Sequence, residues 1–164
     1  PCPCGYYSDP ERSCRCSQSA VMKYQSRVSG PLIDRIDIQI EVPPVKVEAL
    51  PSMEKGEPSA AIRERVEAAR AVQAARYRGE CGIYTNADAK GADLPEICKL
   101  STCDCEKLVR MIGRLGLSAR AYDKILRVAL TCADLDGVEI VREEHLSAAL
   151  QMRHLDREQN SCWI

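Results

Sequence analysis

The sequence predicts a mainly α-helical protein: a bundle of four or five helices, preceded by a cysteine-rich loop and one orphan strand. Three observations predict it. Between residues 59 and 157, apolar side chains recur at helical spacing in successive segments. The chain is 45% apolar but has no Phe and only 1 Trp, so its core is built from Leu, Ile, Val, Ala and Met, a palette suited to helix packing. Finally, Ile36, Ile38, Ile40 and Val42 alternate with Asp37, Gln39 and Glu41, the clearest period of two in the chain.

Residues 1–20 (PCPCGYYSDPERSCRCSQSA) read as a loop or small knuckle. A short helix over 21–30 is expected to stop at Gly30-Pro31. The strand at 36–42 ends at Pro43-Pro44, and residues 43–58, with Pro51 and Pro58 as well, form an extended linker. An Ala/Arg/Glu-rich helix over 60–78 follows, capped by Ser59, with Ile62, Val66 and Ala69 as its apolar stripe. Gly79, Gly82, Gly91 and Pro95 break the next stretch, leaving room for one short helix near 94–99. A helix over 104–115 turns Leu108, Ile112 and Leu115 inward and closes at Gly116. Ser118 caps a helix over 119–134 with a wide stripe of Tyr122, Ile125, Leu126, Ala129, Cys132 and Ala133. The last helix, about 142–153, faces Leu146, Ala149 and Leu150 inward. The resulting division is 1–42, a linker at 43–58, a helical domain at 59–157 and a tail at 158–164. One strand cannot satisfy its own backbone, so its partner is expected outside this stretch of chain or in another copy.

Net charge is −1, from 23 Lys/Arg against 24 Asp/Glu, so the whole-chain charge does not point to a polyanionic partner. No run of about 18 apolar residues occurs, which excludes a helical membrane span. Ten cysteines would suit a disulfide scaffold in a small secreted chain. The helical periodicity supplies a core without staples, and no signal peptide is seen, so the expected setting is cytoplasmic with reduced thiols.

SGPLIDRIDIQIEVP (29–43), preceded by PCPCGYYSDPERSCRC (1–16), resembles the end of the ATPase core in magnesium-chelatase-related AAA+ proteins of the ComM/YifB type. LGLSARAYDKILRVALTCADLDGVEIVREEHLSAALQMRHLDR (115–157) resembles the helical lid of the same family, and the Asn86-Ala87 pair fits as well. The resemblance implies a C-terminal piece of a hexameric, ATP- and magnesium-dependent DNA motor of the helicase or branch-migration type, acting in DNA uptake or recombination. The Gly-rich phosphate loop ending in Lys and Ser/Thr is absent from this sequence, so the stretch is expected to be inactive alone. The family usually has an Arg where this chain has Leu130.

The same resemblance makes Arg35 an arginine finger, reaching the γ-phosphate bound by a neighbouring subunit. From composition alone, Arg35 reads as a solvated partner of Asp34 or Asp37, and the motif is what favours the finger; Arg27 is a weaker candidate for that role. Arg120, second after the Ser118 cap, stands beside the positive end of a helix, which makes best sense with an anion present. The resemblance assigns it to sensing nucleotide; the plainer reading is a surface Arg. Cys2, Cys4, Cys14 and Cys16 form C-x-C-x9-C-x-C, two thiol pairs across a short polar loop that could bind zinc, or remain free thiols or partial disulfides. Cys98, Cys103 and Cys105 make a looser, less apt cluster. Cys132 reads as core, and His145 and His154 as surface or helix-end residues. Arg63, Arg65, Arg70, Arg76 and Arg78 crowd one helix beside Glu64, Glu67 and Glu80, forming either a solvated ion-paired face or a contact for DNA phosphates. Two other functions stay open: the ATPase subunit of a metal chelatase, and a non-enzymatic zinc-dependent binding module.

Overall fold

In a computed structural model, which describes residues 2–7, 9, 11–40, 42, 45 and 56–153, the regular structure of the described residues is helical. Two compact units are distinguished: Pro1–Arg35 with Glu41–Lys55, and Ile36–Ile40 with Gly56–Ile164.

In the first unit, α1 (Gln18–Gln25) starts at Ser17, whose hydroxyl accepts the Ala20 amide at 3.3 Å. The helix thus begins earlier than the apolar pattern suggested. It also ends earlier, at Gln25, so Gly30-Pro31 does not stop it: the pair opens a second short helix, α2 (Gly30–Ile33), because proline suits the first helical turn, where no amide donor is needed. Val21 and Ile33 are buried.

The second unit carries the main core. Helix α3 spans Ser59–Arg76, α4 Leu94–Ile97, α5 Thr102–Arg114, α6 Ala119–Leu135 and α7 Glu143–Gln151, with 3-10 turns at Asn86–Asp88 and Gly91–Asp93. Helix α6 is the axis: Ala121, Ile125, Leu126, Ala129, Leu130 and Ala133 are all fully buried. Around it pack Leu94, Cys98, Leu108, Ile112, Val141, Ala149 and Leu150. Leu130 lies inside this core, so an Arg at that position would have to be accommodated in a fully buried site. Gly116, at φ 63°, takes the left-handed turn that ends α5.

Several expectations are corrected. Ser59 is the first helical residue and not the cap; Pro58 holds the cap position, extended at ψ 140°. Ile62 and Val66 stay 42% and 44% exposed, and α3 docks instead through Ala69, Gln73, Arg76 and Tyr77. Its inward face is therefore polar at its C-terminal half. His145 does lie in the first turn of α7, but it is buried: its Nδ1 accepts the Arg142 amide at 2.9 Å and its Nε2 faces Asp136 at 3.1 Å. His154 lies outside the described residues.

Residues 36–40 are not a strand. Their backbone finds single partners on the helical unit rather than a ladder. The Gln39 amide donates to the Met152 carbonyl at 2.7 Å, at the C-terminal end of α7, where helix carbonyls lack internal partners. Arg153 Nη1 donates to the Ile36 carbonyl at 2.9 Å, and Lys124 pairs with Asp37. Gln39 is the buried residue, while Ile38 and Ile40 stay 51% and 70% exposed, the reverse of what the alternation suggested.

Asp88 closes the first 3-10 turn by accepting from the Thr85 hydroxyl and from the amides of Thr85 and Tyr84. These bonds, the hydroxyl's foremost, hold its carboxyl below the ordinary 3.8. A carboxylate with a lower pKa folded than unfolded stabilises the fold above its unfolded pKa and withdraws that support as pH falls through the folded one. Asp88→Asn is expected to flatten the loss of stability below about pH 4. Denaturant titrations at a series of acidic pH values read this directly, and an unchanged slope would contradict it.

Candidate functional site

The cysteine loop is built by tight turns. The Gly5 amide donates to the Cys2 carbonyl at 3.1 Å, and Gly5 sits at φ 84°, a conformation that glycine adopts without penalty. Asp9 Oδ1 accepts the amides of Glu11 and Arg12 at 2.8 and 2.9 Å. Arg12 lies over the Tyr6 ring and donates to its hydroxyl at 2.9 Å. The two thiol pairs are thereby brought together. Sγ of Cys2 lies 3.3 Å from that of Cys4 and 3.5 Å from that of Cys14, and Cys4 to Cys14 is 3.6 Å. With Cys16 included, all four sulfurs lie within 4.8 Å of one another.

Crowding splits their titration. The Tyr6 amide, with that of Arg15, holds Cys4 down to about 6. Cys14 receives an amide bond from Cys16, but desolvation and the neighbouring thiols outweigh it and push Cys14 up to about 12. Like charges this close do not form together without a cation.

The two arginines stand in different units. Arg35 follows α2 and is exposed, the last residue of the first unit's Pro1–Arg35 segment. Arg120 is the second residue of α6, exposed in the first turn after Ser118. Arg27 lies over the Tyr24 ring, 5.3 Å from its centroid.

The looser cysteine set does not assemble. Cys98 is buried in the helical core beneath α6, where desolvation pushes its thiol up to about 12. Cys98, Cys103 and Cys105 form no metal-sized group among the described residues. Cys132 is partly buried.

The arginine-rich helix divides in two. Arg76 turns inward and forms a two-pronged pair with Asp134, at 2.5 and 3.0 Å. Arg65 pairs with Glu57. Arg63, Arg70 and Arg78 remain on the exposed face. Asn86 is the hub of the inner network. It accepts from Arg76 and the Tyr77 hydroxyl, donates to Thr131 and Asp134, and its amide donates to Gln73.

The profile described as magnesium chelatase, subunit ChlI C-terminal, matches residues 56–153, and the one described as magnesium chelatase, subunit ChlI, matches residues 1–50. The chain belongs to the magnesium chelatase ChlI-related family. Among its relatives, Competence protein ComM of Haemophilus influenzae is 37% identical over 158 residues, covering 96% of this chain and 30% of that protein. The uncharacterized YifB proteins of Escherichia coli and Salmonella typhimurium are 35% and 34% identical over the same shares. The chain thus spans about 30% of the length of these relatives. Among the described residues, no helix is long and apolar enough to cross a membrane.

Proposed function

We propose that this chain is the C-terminal part of an ATP-driven DNA motor of the helicase or branch-migration type, working as a hexameric ring in the cytoplasm. Residues 1–42 close the ATPase core, 43–58 link, and 59–157 form the lid, with a tail at 158–164. The carrying observation is the match of both halves, in order, to ChlI-related proteins, with a relative named for competence aligned along 96% of the chain. ATP and magnesium bind mainly to parts of the protein outside this stretch. Arg120 adds a fixed cation to a phosphate approaching the positive end of α6, a role supported by its exposed position in the first turn of that 17-residue helix. Arg35 supplies its planar donor fork to the γ-phosphate held by the next subunit, where negative charge builds during transfer. Rotation of the lid couples the phosphate state to movement of DNA.

One alternative is an ATPase subunit that remodels a porphyrin-metallating partner, a reading whose support is the words magnesium chelatase in the family's description. ATP turnover of the full-length protein, with and without branched DNA, separates the two. The motor reading expects stimulation by DNA. Turnover indifferent to DNA but raised by a chelatase partner would favour the alternative.

A further inference from the structure

We propose that Cys2, Cys4, Cys14 and Cys16 bind a single Zn(II) ion as a closed structural tetrathiolate. The assignment is independent of the motor reading, which needs no such ion.

The sulfur geometry is the first argument. Zinc bonded to four thiolates at about 2.3 Å has sulfur–sulfur edges of about 3.8 Å in a tetrahedron. The edges among Cys2, Cys4 and Cys14 are 3.3–3.6 Å, and Cys16 completes a group spanning at most 4.8 Å. A disulfide would need about 2.05 Å, and all four cysteines are free thiols. An ion at the centre of the group reaches all four with small adjustments and cancels the repulsion between thiolates.

The backbone is the second argument. The Cys2-to-Gly5 turn and the Asp9 turn bring the two C-x-C pairs together from opposite ends of one loop. Residues next to the cluster already have their structural roles: Gly5 supplies the left-handed turn, and Ser17, directly after Cys16, caps α1. A metal at this point ties the loop to the start of that helix.

The sparse core is the third argument. Among the described residues of the first unit, the buried apolar side chains are Cys2, Val21 and Ile33. Segments with so little burial gain their order from cross-links or metals. The donor set selects the ion. Four sulfurs with no carboxylate or imidazole suit zinc in tetrahedral geometry, and four protein ligands leave no open position for substrate, so the role is structural.

The test uses the full-length protein, purified without chelator and analysed for bound metals by mass spectrometry. One zinc per chain is expected, lost in Cys4→Ser and Cys14→Ser and retained in Cys103→Ser. Because the serine variants could misfold, a second measurement uses the unaltered protein. Thiol titration of the native protein should find four cysteines that become reactive only when a strong chelator removes the zinc, while the core thiol of Cys98 stays protected throughout. Cobalt put in zinc's place should show the intense visible bands of a tetrahedral thiolate site. Iron in place of zinc, no bound metal, or a zinc content indifferent to both Cys4→Ser and Cys14→Ser would overturn the assignment.

Discussion

Asp134→Ala should lower the stability of the helical unit by about 3–5 kcal/mol, the usual cost of removing one partner from a buried ion pair. The Asp134 side chain is fully buried, and its two oxygens hold both prongs of Arg76, whose side chain is 19% exposed. Removing the carboxylate leaves a guanidinium in the interior facing Asn86, whose side-chain amide also loses an acceptor at 2.8 Å. Since small domains are stable by only about 5–15 kcal/mol, the loss is a large fraction of the whole. Urea titration of this chain measures it. The double change Arg76→Met with Asp134→Leu should recover much of the deficit, because the uncompensated charge goes with the carboxylate. A single variant as stable as the parent would mean that the network holds α3 to α6 by packing alone.

The second large effect is on turnover. In the full-length protein, Arg35→Ala should reduce the rate of ATP hydrolysis by about 10³-fold, the lower range for a lost arginine finger. Nucleotide affinity should change little, because the fork acts where charge develops. Arg120→Ala should weaken nucleotide binding as well as turnover, since a sensor at a helix N-terminus meets the phosphates in the ground state. Both side chains are exposed, outside the helical core, so both variants should still fold cooperatively, which thermal melts verify. Full activity in either variant would remove that residue from the site.

Much of the helical unit was legible because its signals were redundant. Ser118 as a cap, the α6 stripe and Gly116 after α5 each pointed to the same boundary. What stayed hidden were polar groups working inside apolar surroundings. Asp134, next to Ala133 on α6, has its partner Arg76 58 positions earlier, a pairing that no local pattern announces. Asn86 drew notice only by resemblance, although two of its partners come from α3, one is Tyr77 directly after that helix, and two come from α6. The alternation at 36–42 misled because period two reports an extended backbone, not a ladder. Single bonds to Met152 and Arg153 tie this segment to the helical unit without any ladder. The cysteine spacing was a readable signal, but C-x-C is compatible with several chemistries, and the sulfur distances are what narrow it.

The most direct test of the central claim, that this chain serves the nucleotide site of its neighbour, is a mixing experiment with two inactive full-length variants. One carries Arg35→Ala; the other has an intact Arg35 but a disabled phosphate-binding loop. Mixed rings contain interfaces where a sound nucleotide site meets a sound Arg35, so DNA-stimulated ATP turnover should reappear on mixing. Turnover no greater than the sum of the two separate variants, in rings shown to have exchanged subunits, would contradict the account.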